Sequence, residues 1–385
     1  MVLASRMAQL GTEKGFEVLA RARQLEAAGK SIIHLEVGDP DFDTPEHIRR
    51  AACEAINSGH THYGPAAGDP EFRALVAKHL KLTRGVPYTA DQIVIVPGGK
   101  PVIFLGMMAL VNAGDEVVYS DPGYPTFESM ANFLGARPVP IVLREENEFR
   151  LDVNELADLV TDRTSLIVLN SPHNPTGGVL AKDDLEAIAA LAIDNDLMVL
   201  SDETYESIIY EGRQHSIAAC EGMADRTLLL DCFSKSFAMT GWRLGFSASH
   251  PQLAEALSRL MLNANSCTSS FVQRAGLAAL SGPQDATRQM VAAFKQRRDI
   301  IVEGLNSLPG ISCLSPRGAL YAFPNITGTG YSSDELYSRL LDEAGVAVLP
   351  GTAFGEHGEG YLRISFASSL DNINEALSRI SELLS

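Results

Sequence analysis

The sequence predicts an α/β protein. A large domain holds a mostly parallel sheet between helices, and a smaller α+β domain is formed by the two chain ends. Three observations carry this expectation. Short runs rich in Val, Ile and Leu recur through the middle of the chain, and helical stretches separate them. From about Pro283 the pattern changes to a long helix, strand-like runs and a terminal helix.

In chain order, residues 12–30 (TEKGFEVLARARQLEAAGK) read as one amphipathic helix. QIVIV (92–96), DEVVYS (115–120), RPVPIVL (137–143), TSLIVLN (164–170), LMVLSD (197–202) and RTLLLD (226–231) read as strands. Several are apolar without alternation, as expected for strands covered on both faces. GGKPVIFLGMMALVNAG and DLEAIAALAIDND (184–196) read as helices, with Gly114 as a helix end. GALYAFPNI and YLRISFASS are the strand-like runs of the last part. The expected division is 1–44 with 283–385 for the smaller domain and 45–282 for the larger.

A length of 385 residues suits two domains and a sizeable core. The formal charge of -17 argues against nucleic-acid backbones and anionic membranes as partners. Five scattered cysteines without a C-x-x-C pair read as free thiols in a reducing cytoplasm. The N-terminal residues lack the apolar stretch of a signal peptide, and the apolar run 101–111 is too short to span a bilayer. The expectation is a cytoplasmic protein. No P-loop, dinucleotide fingerprint or G-x-S-x-G elbow is present, and GFSAS (245–249) lacks the closing Gly. His60 and His62 lack the further ligands of a zinc site, so no metal is expected.

Four segments sit at the C-terminal ends of expected strands, where open α/β sheets bind ligands. NSPHNPTGG (170–178) is a turn-rich loop directly after a buried strand, and SDETY (201–205) puts Asp202 at a strand end. SKSFAMTGWRLG (234–245) carries a lone lysine, Lys235, among small and apolar residues. PGGK (97–100) leads a Gly pair into a helix, a setting that can hold an anion on backbone N–H groups.

These blocks, with VGDPDFDTP (37–45), YGPAAGDPEFR (63–73), DPGYPTF (121–127) and YLRISFA (361–367), resemble in order those of the class I/II pyridoxal-phosphate aminotransferases of fold type I. The resemblance covers nearly the whole chain and implies a seven-stranded sheet, pyridoxal 5'-phosphate as cofactor, and a homodimer with shared sites. It implies that Lys235 forms the Schiff base and moves the proton, and that Asp202 partners the ring nitrogen. Asn174 and Tyr205 would bond the phenolic oxygen, and Tyr124 would stack on the ring. The phosphate falls to Gly98, Gly99, Lys100, Ser234 and Arg243, and to Tyr63 reaching across to the neighbouring subunit. Cys232 stands where some relatives place a serine. Arg363 would bind the substrate α-carboxylate, helped by Gly38 and Asn174. Trp242 reads as packing.

The activity so implied is amino acid:2-oxo acid aminotransfer by ping-pong half-reactions, with glutamate/2-oxoglutarate as one pair. The donor stays open between aspartate-type and alanine or aromatic, and Lys100 between a distal carboxylate and the phosphate. A β-lyase of the same fold is the alternative.

Overall fold

The computed structural model describes residues 2–385. Seven strands form the central sheet: β1 (Ile93–Val96), β2 (Glu116–Asp121), β3 (Arg137–Val142), β4 (Thr164–Asn170), β5 (Met198–Asp202), β6 (Thr227–Cys232) and β7 (Gly245–Ala248). Their order across the sheet is β1-β7-β6-β5-β4-β2-β3. Only β7 runs against its neighbours, so the sheet is mostly parallel, as the sequence predicts.

β7 is the strand that the hydrophobic pattern does not reveal, because GFSA is four residues long and Phe246 is its one large apolar side chain. Its Gly245 is there for space: a Cβ would stand 2.9 Å from the Gly98 carbonyl carbon and 3.0 Å from the Asp231 oxygen.

Helices cover both faces because the strands between them are apolar throughout. Val94, Val96, Val117, Leu166 and Leu200 pack with Ile103 and Met107 on one side. Val118, Ile167, Leu169 and Val199 pack with Leu185, Ile188 and Val18 on the other. The helices that matter for the site are α1 (Lys14–Ala27), α2 (Pro70–Arg84), α3 (Lys100–Leu110), α4 (Asp285–Asn306) and α5 (Leu370–Leu384). The Asp69 carboxylate caps α2 by accepting from the N–H groups of Glu71 and Phe72 at 2.9 and 3.2 Å. No side chain caps α3, which Gly99 precedes.

Gly114 does not end α3. The helix stops at Leu110, because Asp115 Oδ2 accepts from the Asn112 N–H at 2.8 Å and closes a turn there. Gly114, with φ +91°, serves the turn into β2.

The chain ends meet in a separate cluster. Leu35 packs with Phe294 and Ile301 of α4, with Ile364 and Phe366, and with Ile373 and Ile380 of α5. Leu362–Ser365 is the centre of a three-stranded antiparallel sheet between Leu349–Pro350 and Tyr321–Ala322. The GALYAFPNI run thus pairs as a strand over only two residues. The Ser365 N–H donates to the Leu35 carbonyl at 2.8 Å, tying the loop that leads to Gly38 beside Arg363. Among the described residues no helix is long and apolar enough to cross a membrane, and the five cysteines are free.

Candidate active site

A cavity of about 560 Å³ opens where the C-terminal ends of the parallel strands meet the chain-end cluster. That volume suits a small organic ligand. Its lining includes Gly38, Gly99, Lys100, Tyr124, Asn174, Asp202, Tyr205, Ser234, Lys235, Arg243 and Arg363. Eleven expected site residues, drawn from positions 38 to 363, therefore face one space.

Asp202 ends β5. Its Oδ1 accepts from the Thr204 N–H at 3.1 Å and from the Thr204 hydroxyl at 2.7 Å. Burial nevertheless pushes its carboxyl up to about 6, against the pull of those bonds. No ion pair to Asp202 exists among the described residues. A buried acid without a cation is poised to receive one from a ligand.

Asn170, at the end of β4, links the neighbouring loop to this strand end. Its side-chain amide donates to the Asp202 carbonyl at 3.2 Å, and its Oδ1 accepts from the Asn174 N–H at 2.9 Å. Asn174 Oδ1 in turn accepts from Arg363 at 3.3 Å.

Lys235 lies in the one-turn helix Phe233–Ser236 that follows β6, and its Nζ donates to the Gly38 carbonyl. Gly38 must be glycine, since a Cβ there would overlap the Tyr321 hydroxyl. That hydroxyl shares a 2.7 Å hydrogen bond with Tyr205, and burial holds the Tyr205 phenol protonated far above neutrality.

Arg363 is buried in the centre of its sheet. Its guanidinium carbon stands 4.3 Å from the Tyr321 ring centroid and 4.8 Å from that of Phe354, and its terminal nitrogen donates to the Glu36 carbonyl. Its Nε is buried with no partner, a donor left for an anion in the cavity.

The anion cradle is built from backbone. Gly98 takes φ +91°, and a Cβ there would run into the Arg243 guanidinium, which packs against that turn. Arg243 itself takes φ 55° and donates to the Thr240 carbonyl at 2.7 Å. The uncapped N-terminus of α3, buried Ser234 and Arg243 suit a phosphate. Gly98 contributes by letting Arg243 approach rather than by lining the cavity.

Two further expected residues have settings of their own. The Lys100 ammonium is already paired, with Glu13, the residue before α1; Tyr124 donates to the same Glu13 oxygen at 2.9 Å. Tyr63 stays out of the cavity. It is 89% exposed on a neighbouring groove that it shares with Trp242 and Arg243.

Sequence reasoning missed Glu13, Tyr321 and Phe354. Tyr321 sat in a recognised strand-like run, but nothing in the sequence links it to Gly38. The Glu13–Tyr124 contact spans 111 residues and leaves no local signal.

Fold and cavity together define an α/β protein with a small-ligand site at the strand ends, and comparison makes the assignment specific. The sequence profile of the family "Aminotransferase class I and II" matches residues 30–380. The chain is 41% identical over 384 residues to an aspartate aminotransferase of Pyrococcus horikoshii, covering 99% of this chain and 97% of that one. It is 40% identical to aromatic-amino-acid aminotransferase 2 of Thermococcus litoralis, covering 100% and 98%. The crystal structure of Thermus thermophilus aspartate aminotransferase with maleate superposes with a TM-score of 0.95 at 35% identity, each chain fully covered.

The chain belongs to the class I and II aminotransferases and is a pyridoxal-phosphate-dependent aminotransferase. These relatives give the β-lyase alternative no support.

Proposed function

We propose that Lys235, Asp202 and Arg363, facing one cavity, carry aminotransfer between an amino acid and a 2-oxo acid, with glutamate/2-oxoglutarate as one pair. The observation that carries this reading is the uncompensated buried carboxyl of Asp202 in the same cavity as the buried, part-free guanidinium of Arg363. When bound, the cofactor supplies an electron sink conjugated to the substrate α-carbon. Asp202 would hold a proton on its ring nitrogen. Asn174 and Tyr205 would donate to its phenolic oxygen. Gly99, Lys100 (through its backbone), Ser234 and Arg243 would hold its phosphate, with Gly98 giving Arg243 room, and the Tyr124 ring would pack on its face.

Arg363 binds the substrate α-carboxylate, with Gly38 and Asn174 shaping the same corner. This fixes which Cα–H bond faces Lys235. Lys235 Nζ, facing that bond, would take the Cα proton and return it. The apolar walls of Ile103, Leu349 and Phe354 keep water from the reacting carbon.

The division into 1–44 with 283–385 and 45–282 is part of the same reading. So are a cytoplasmic location and a homodimer in which Tyr63 completes the neighbouring phosphate site. The exposure of the Tyr63 ring, beside Arg243's outer face, supports a second copy there.

Borohydride reduction followed by peptide mass spectrometry should place the phosphopyridoxyl group on Lys235. Lys235→Ala should abolish both the adduct and turnover, and an adduct on any other lysine would remove Lys235 from its role.

A further inference from the structure

Tyr321 touches three parts of the cavity at once. It stands opposite Ser365 in the antiparallel chain-end sheet, which puts it on the same face as Arg363. Its ring centroid lies 4.3 Å from the Arg363 guanidinium carbon, and its hydroxyl packs against Gly38. That hydroxyl is 2.7 Å from the Tyr205 hydroxyl, and the two rings meet edge to face with centroids 5.7 Å apart. Both residues are buried, and both line the cavity.

Two hydroxyls that share one hydrogen bond use only one of their two protons in it. Among the described residues neither oxygen has another hydrogen-bond partner. The second proton must therefore meet a ligand or stay unmet in a buried place, which is costly. The charged groups facing the pair are Arg363, Asp202 and, beyond Gly38, Lys235; none of them bonds either hydroxyl. If Tyr205 serves the cofactor's phenolic oxygen, both protons are used only when Tyr321 donates to Tyr205.

We propose that Tyr321 is a positioning residue whose hydroxyl donates to Tyr205 and turns the Tyr205 proton towards the cofactor's phenolic oxygen. This rests on the reading of Tyr205 as the partner of that oxygen. Arg363 on the ring face and Gly38 against the hydroxyl hold Tyr321 in place for it. A hydroxyl that accepts one hydrogen bond is a stronger donor of the next.

Bound pyridoxal 5'-phosphate reports the strength of that donor. Stabilising negative charge on the phenolic oxygen makes the Lys235 nitrogen bonded to the cofactor less basic. Weakening the donor therefore raises the pH midpoint of the visible absorbance. In the full-length holoenzyme, Tyr205→Phe should raise that midpoint by about one unit, and Tyr321→Phe by about a third of that. The double variant should match Tyr205→Phe alone, because Tyr321 acts only through Tyr205. Tyr321→Phe keeps the ring face on Arg363, so maleate, a non-reacting carboxylate, should bind within about twofold of wild type.

No shift in Tyr321→Phe, or a double variant shifted beyond Tyr205→Phe, would overturn the relay. A fall in maleate affinity that accompanies the shift would overturn it too, since the effect would then run through Arg363. Tyr205→Phe separates the two readings. No shift there removes Tyr205 as the partner of the phenolic oxygen, whereas a shift there with none in Tyr321→Phe removes only the relay.

Discussion

Two buried carboxylate regions lie back to back at the end of β5, and their charge is balanced in opposite ways. Glu203, one residue beyond Asp202, faces away from the cavity towards Arg84 at the end of α2. The Arg84 guanidinium reaches Glu203 at 2.7 Å and Asp231 at 2.5 Å, with Glu206 at 3.9 Å. Ser201 and Ser216 add hydrogen bonds to Glu203 Oε1 at 3.0 and 2.5 Å. Burial pushes the Asp231 carboxyl above its ordinary range against the pull of Arg84. This region is internally satisfied and ties the ends of β5 and β6 together. Asp202 has only neutral donors. The difference separates two uses of a buried acid: one with its cation built in holds strands, and one without it waits for a ligand.

The largest expected effect breaks the waiting side. Asp202→Ala should retain the cofactor yet lose on the order of 10⁴-fold in kcat, ~5 kcal/mol of barrier. Single-turnover rates with amino-acid donors measure this. A variant within a few-fold of wild type would remove Asp202 as the ring partner.

The satisfied side should fail differently. Arg84→Met strands Glu203 and Asp231 without their cation, and removing one partner of a buried ion pair costs about 3–5 kcal/mol. Urea unfolding should show that loss, while kcat per folded molecule falls by less than tenfold. A kcat loss as large as that of Asp202→Ala would mean that Arg84 acts on the site rather than on the strand ends.

The same contrast explains what the sequence made legible. Asp202, Lys235 and Asn174 sit in blocks at strand ends, where the period of the apolar runs and the turn residues announce a site. Each stands out within its own contiguous block, although Lys235 and Asn174 also reach Gly38 and Arg363 far along the chain. Tyr321, Glu13 and Arg84 act through contacts that span more than a hundred residues, and no periodicity encodes those. Arg84 in particular looks like any basic residue in the last turn of a helix, a place that favours a cation anyway. β7 was illegible for another reason: it is four residues long, Gly245 must be glycine to pass close to Gly98, and Phe246 alone is too little for a strand signal.

The smallest expected effect concerns pH and isolates Asp202 from every other titrating group. Its folded-state carboxyl is raised to about 6 from an ordinary 3.8. Between those values the folded protein holds a proton that the unfolded chain releases, so stability falls as pH rises through that window. Below pH 4 both states are protonated and Asp202 costs nothing. Above pH 6 its full cost is present, ~3 kcal/mol from the size of the shift. Asp231 adds a slope of the same sign. Buried His173 and half-buried His79, lowered to about 3 and about 4, add slopes of the opposite sign, since the unfolded chain binds protons that they refuse. Comparing wild type with Asp202→Asn cancels all three. In cofactor-free protein, urea unfolding should find the two equally stable near pH 4 and the Asn variant more stable above pH 6, by up to ~3 kcal/mol. With cofactor bound the gap should close or reverse, because the ionised acid then has its cation. A gap that persists unchanged would mean that no positive charge reaches Asp202, and the contrast with the Arg84 cluster would lose its functional meaning.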